Sequence, residues 1–196
     1  MDLIIASNNK NKIKEIKDIL KDLNVDIKSL SDIGFYDEIE ENGNSFEENS
    51  YIKAKTIYDK YKIPVIADDS GLEVEALSNR PGIYSHRYAG LECDDLKNNK
   101  KLINELKGIE NRNAHYTCVI SYINKSGLVK YAKGYVNGKI IDNPKGENGF
   151  GYDPHFYIES LGKTMAEISM EEKNKISHRM KALIKLKEII REDINN

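Results

Sequence analysis

A chain of 196 residues is long enough for one sizeable core, and no linker, repeat or compositional shift marks a second domain, so residues 1–196 read as one domain with two lobes around a cleft. Hydrophobic residues make up 39% and charged residues 32%, the balance of a folded chain rather than a disordered one. Thirty Lys and Arg against 32 Asp and Glu leave a net charge of -2, which excludes a global basic field for long nucleic acid.

The chain opens on Leu3 to Ala6, an apolar run too short for a signal segment or a membrane span, so a cytoplasmic protein with no membrane partner is expected. That run predicts a strand. Ser7-Asn8-Asn9-Lys10-Asn11-Lys12 then forms a polar loop, and Ile13, Ile16, Ile19, Leu20 and Leu23 recur at helical spacing. Val25, Ile27 and Leu30 alternate as a second strand, followed by an acidic, glycine-containing stretch from Asp37 to Asn44. Ser45-Phe46-Glu47-Glu48 has the Ser-x-x-Glu form of a capping box and predicts a helix to about Tyr61, ended by Pro64. Val65 to Ala67 reads as a buried strand delivering Asp68-Asp69-Ser70-Gly71 at its tip, with Leu72, Val74 and Ala76 alternating as a separate, half-exposed strand.

Leu96, Leu102, Ile103 and Leu106 mark another helix, closed near Gly108. Ala114 to Ile123 and Leu128 to Val136, split by Asn124-Lys125-Ser126-Gly127, predict a long antiparallel hairpin. A glycine-rich loop from Gly146 to Gly151, a short strand at His155 to Ile158, and a terminal helix with Met180, Leu183, Ile184 and Ile190 on one side complete the chain. Isolated buried strands, a hairpin and interspersed helices together predict an α/β fold around a mixed central sheet. Cys93 and Cys118 lack a CxxC or paired-histidine context and read as two ordinary thiols.

Four constellations carry chemistry. The Ser7 to Lys12 loop enters a helix N-terminus, where backbone amides and the helix dipole favour a phosphate and Lys12 adds a charge. On its own it reads first as a polar turn in which Ser7 or Asn8 caps the helix, because it lacks a Walker-type glycine pattern. Glu40-Glu41 and Asp68-Asp69 are paired carboxylates, which repel unless a cation or protons neutralise them; magnesium favours such oxygens together with water and phosphate. Of the two, Asp68-Asp69 is the more informative, since Glu40-Glu41 alone also suits a solvated loop.

Gly149-Phe150-Gly151-Tyr152-Asp153-Pro154 sets aromatics among glycines, fit either for stacking on a base or for a structural turn. The fourth, Glu171 to Lys175 with Ser177-His178-Arg179, reads by itself as a solvated charged helix with a lone histidine; on one continuous helix Lys173 and Arg179 would point in different directions. If they share a ligand, the helix breaks before Ser177, which then caps a new helix with His178 and Arg179 in its first turn.

Taken in register, these segments resemble the inosine triphosphate pyrophosphatase family: Ser7 to Lys12, Ser45-Phe46-Glu47-Glu48-Asn49, Ala67-Asp68-Asp69-Ser70-Gly71-Leu72, Pro81-Gly82-Ile83-Tyr84-Ser85, Gly149 to Pro154, Glu172-Lys173-Asn174 and Ser177-His178-Arg179. His86 departs from the family's usual small residue there. The resemblance implies a homodimeric, magnesium-dependent enzyme that cleaves a purine nucleoside triphosphate such as inosine or xanthosine triphosphate to the monophosphate and pyrophosphate. It implies that Ser7, Asn8, Asn9, Lys10, Asn11, Lys12 and Lys53 hold the triphosphate. Glu40 and Asp69 would bind Mg2+, helped by Asp68 and Glu41, and Asp69 would also accept the proton of the attacking water. Ser70, Phe150, Gly151, Tyr152, Asp153, Lys173, His178 and Arg179 would form the nucleoside pocket, with Phe150 or Tyr152 stacking on the purine. A pyrophosphatase for modified pyrimidine nucleotides and a purine-nucleotide binding module without turnover are the rival readings.

Overall fold

The computed structural model describes residues 1–195, the side chain of Asn11 excepted. Its strands are β1 (Asp2–Ile5), β2 (Asp26–Ser29), β3 (Val65–Val74), β4 (Arg80–Pro81), β5 (Asn113–Ile123), β6 (Val129–Ile140), β7 (Phe156–Ile158) and β8 (Lys163–Thr164). The α-helices are α1 (Lys10–Leu20), α2 (Phe46–Tyr61), α3 (Asp95–Glu105), α4 (Met170–Ile176) and α5 (His178–Asn195). The strand order is β2-β1-β3-β5-β6-β7-β8, with β4 on β3; β1 runs parallel to β2 and β3, while β4, β7 and β8 join antiparallel, so the sheet is mixed as expected. Among the described residues no helix is long and apolar enough to cross a membrane.

By contacts the chain divides into two units, residues 1–69, 118–134 and 181–196 in the first and 70–117 and 135–180 in the second. In the first, alternation along the strands makes three layers. Leu3, Ile5, Ile66, Ile120 and Tyr122 face one way and pack on Ile16 and Leu20 of α1 and Leu183, Leu186 and Ile190 of α5. Ile4, Val65, Ala67 and Ile123 face the other way, onto Ala54 and Ile57 of α2. In the second unit, Leu72, Val74, Ala114, Tyr116, Val136 and Ile140 pack on Leu102 and Leu106 of α3. The residues between them in sequence form a polar face: His115 Nε2 lies 3.0 Å from Glu73 Oε2, and Thr117 donates to the same carboxylate.

Several expectations need correction. β3 is one unbroken strand, so Asp68 and Asp69 lie mid-strand rather than at a tip, and Ala76 sits in a 3-10 turn, Glu75–Leu77. Asp and Gly are poor strand formers; the extended run is held because each carboxylate finds its partners on a neighbouring helix, as described below. β6 continues past Val136 because its end pairs with β7 through Lys139 and Ile140. Ile184 is 53% exposed and Leu96 83%, each turned about a quarter-turn or more off its helix's buried stripe. Ser45 caps α2 by accepting from Glu48 N at 3.1 Å, but Glu48 Oε2 takes the amide of Asn44 rather than that of Ser45, so the box is displaced by one residue. A complete capping box occurs instead at Ser169 and Glu172, ahead of α4.

Candidate active site

Strand parity builds the first cluster. Asp68 shares the face of Ile66, toward α1, and its carboxylate meets Lys12 Nζ at 2.8 Å. Asp69 shares the face of Val65 and Ala67, toward α2, where Asn49 and Lys53 stand one turn apart. Asn49 Nδ2 donates to Asp69 Oδ2 at 3.1 Å. Lys53 Nζ binds Glu41 Oε2 at 2.9 Å, and Glu40 beside it is exposed. Burial pushes the Asp69 carboxyl above the ordinary aspartate range; Lys53 opposes this, Glu41 adds to it, and Asn49 and Lys12 pull it back. Burial works against the Lys53 ammonium, yet the charges of Asp69, Asp68 and Glu41 outweigh it and hold its pKa above the usual lysine value. Two acidic segments are therefore close enough to repel, with lysines offsetting them.

At the N-terminus the helix start comes earlier than the hydrophobic spacing indicates. Lys10, Asn11 and Lys12 are already the first turn of α1, and it is Asn9, not Ser7 or Asn8, whose Oδ1 accepts from Lys12 N at 3.2 Å. Ser7 Oγ in turn accepts from Asn9 N at 3.2 Å, and Asn8 and Lys10 are exposed. The side chain of Asn11 lies outside the described set.

The second cluster lies in the other unit and centres on Asp153. Its buried carboxylate accepts from Lys173, from Phe150 N at 3.0 Å and from Tyr116 OH at 3.3 Å. The Lys173 ammonium sits 4.7 Å from the centroid of the Phe150 ring, which is itself 56% exposed. Tyr152, by contrast, is core: its OH donates to Ser85 O at 2.7 Å. Of the two aromatics offered for stacking, Phe150 is the one with a ring face to spare. Gly151 is gripped from α3, donating its amide to Asp95 Oδ2 at 2.7 Å and accepting from Asn99 Nδ2 at 2.8 Å.

The helix breaks at Ser177, between α4 and α5. Ser177 is extended (ψ 153) and its Oγ accepts from Met180 N at 3.1 Å, so His178 and Arg179 open α5. The His178 ring stacks on Tyr116 at 4.9 Å between centroids, and Arg179 Nη2 donates to Ser70 Oγ at 3.4 Å. Burial, then Asp153, pushes the Tyr116 phenol far up, so it remains a donor. Tyr116 escaped the sequence reading because a tyrosine in a strand reads as core. Asn49 had a visible signal: with Phe46, Ser50, Ala54 and Ile57 it lies on the buried stripe of α2, where a polar side chain needs a partner.

Gly149 has φ 78, and a Cβ there would lie 2.1 Å from Asp153 Oδ2. Gly149→Ala is expected to cost on the order of 1–3 kcal/mol through backbone strain and displacement of the Asp153 cluster; a lowered urea midpoint at unchanged slope would show it.

In this α/β protein, lysines and a helix start lie beside carboxylates in one unit, and a ring, a lysine, a histidine and an arginine gather in the other. A profile of the Ham1 family matches residues 3–189, and the chain belongs to that family. It is 48% identical over 189 residues to the dITP/XTP pyrophosphatase of Bacillus subtilis (strain 168), covering 95% of this chain and 96% of that protein. With the dITP/XTP pyrophosphatase of Caldanaerobacter subterraneus subsp. tengcongensis the identity is 49% over 191 residues, covering 96% and 95%. Among solved structures, the Ham1 protein of Staphylococcus aureus superposes with a TM-score of 0.92 at 44% identity, over 98% of this chain and 100% of that one. The HAM1 protein of Coxiella burnetii gives 0.93 at 37% identity, over 98% and 99%.

Proposed function

We infer that this chain hydrolyses non-canonical purine nucleoside triphosphates, inosine and xanthosine triphosphates and their deoxy forms, to the monophosphate and pyrophosphate. The observation that carries this is the Asp69 carboxyl, pushed up by burial yet set between a buried amide and a lysine. Burial raises its pKa above the ordinary aspartate range, which favours uptake of a proton from an adjacent water. Two relatives that match over at least 95% of both chains are dITP/XTP pyrophosphatases, which supplies the substrate class.

Mg2+ fits the donor set. Among the described residues no three Asp, Glu, His or Cys come together as a ready-made metal cage, and a nucleotide-bound Mg2+ needs only one or two carboxylates beside phosphate and water. Asp69 and Glu40 would hold it, Glu41 being taken up by Lys53. When bound, Mg2+ supplies charge neutralisation of the phosphates. Lys12, Lys53 and the start of α1 receive the phosphates. Asp69 takes a proton as the water oxygen bonds to phosphorus and the anhydride bond between the α- and β-phosphates breaks. Phe150 stacks on the purine, and donors from Arg179 or the α5 amides meet the 6-oxo group. Adenine presents an amino group there and would strand those donors, at about 1–3 kcal/mol for each buried one.

The test is pyrophosphate release from inosine, xanthosine, adenosine, guanosine and cytidine triphosphates, with magnesium and with chelator. Fast, magnesium-dependent release from the first two alone is expected. Equal release from all five would discard the base reading, and none at all would leave a binding module.

A further inference from the structure

Asn49 is 1% exposed, yet both ends of its amide are used, and by different segments. Its Oδ1 accepts from Gly43 N at 2.9 Å, and its Nδ2 donates to Asp69 Oδ2 at 3.1 Å. The orientation is not arbitrary. A backbone N–H can only donate, so the amide oxygen must face Gly43 and the nitrogen must face Asp69. At Gly43 the backbone runs so near the start of α2 that a Cβ would lie 2.7 Å from Glu48 Cβ and 2.8 Å from Asn49 Oδ1. One buried side chain therefore ties the segment carrying Glu40 and Glu41 to the strand carrying Asp69.

We propose that Asn49 is a positioning residue for the reaction, an amide bracket that holds the Asp69 carboxylate and the Glu40-Glu41 segment in one register so that both are presented together to a divalent cation. The proposal rests on the reading of Asp69 given above. A carboxylate without this bond turns about its own axis, and a segment without this tether drifts from it. A partner one bond removed from metal-binding groups commonly changes metal affinity or activity by about 10- to 100-fold when lost.

The experiment pairs steady-state kinetics on inosine triphosphate with titration of Mn2+ into nucleotide-free protein, followed by electron paramagnetic resonance. Asn49→Ala is expected to lower kcat by about 10- to 100-fold with KM within about threefold, and to weaken Mn2+ binding by about tenfold. Because Asn49 is buried, Gly43→Ala serves as a second variant that leaves the amide in place and pushes the loop off it; it should move both readouts the same way, by severalfold. In an Asp69→Asn background, removal of Asn49 should weaken Mn2+ binding by less than it does in the wild-type background, since only the tether of the Glu40-Glu41 segment is then left to lose. Unchanged kcat and Mn2+ affinity in Gly43→Ala and in folded Asn49→Ala, or a rise in KM alone, would overturn the proposal while an inactive Asp69→Asn left the parent reading standing. Full turnover in Asp69→Asn would sink both.

Discussion

Asp69→Asn should lower kcat by about 10²- to 10⁴-fold, the range for loss of a general base, with nucleotide binding largely kept. Asparagine retains an oxygen to accept from Asn49 Nδ2, so the local geometry survives, but an amide cannot take up the proton of water. The same change should stabilise the metal-free protein. Burial raises the Asp69 pKa above its unfolded value, so the native state holds the proton more tightly and stability declines as pH rises through that raised pKa. At pH 7 the wild-type chain carries this penalty and the variant does not. A higher melting temperature for the variant at pH 7, with the gap closing near pH 4, is expected; turnover at the wild-type rate would remove Asp69 from the chemistry.

Asp153→Ala should have the largest effect on stability. Its carboxylate is only 4% exposed and the paired Lys173 side chain 11%, so truncation strands a buried ammonium and takes the acceptor from Phe150 N and Tyr116 OH as well. Breaking one side of such a pair costs about 3–5 kcal/mol. Lys173→Met strands the Asp153 carboxylate in turn, but Phe150 N and Tyr116 OH still donate to it, so this variant should cost less in urea unfolding. Equal losses in the two variants would mean that the ion pair alone, and not the bonds from Phe150 N and Tyr116 OH, holds this cluster. Both variants should raise KM for inosine triphosphate, since Lys173 also lies against the Phe150 ring.

Much of this was legible in the chain because local periodicity coincides with the observed elements. The helical spacing of Ile13, Ile16 and Leu20, the serine before α2, and the β5–β6 hairpin all reflect interactions within a few residues of each other. The break at Ser177, expected on the condition that Lys173 and Arg179 share a ligand, falls at a serine that caps the next helix. What escaped depends on distant partners. The unbroken β3 requires Lys12, Asn49 and Lys53 to satisfy its acids, and the added length of β6 requires β7. Within the site, the residue types were readable but their employment was not. Tyr152 and Phe150 look alike as neighbours of glycine, and only packing separates the anchored ring from the exposed one.

The parity of β3 sets a reading frame for the chemistry. Asp68 answers to α1 and Asp69 to α2 solely because consecutive strand residues leave opposite faces. Deleting one residue between Val65 and Asp68 would exchange their addresses, sending each acid to the wrong helix without altering a single side chain. Length is therefore constrained here as well as identity: after such a shift Asp69 stands opposite Lys12 and Ser70 opposite Asn49, so the place facing Asn49 loses its carboxylate.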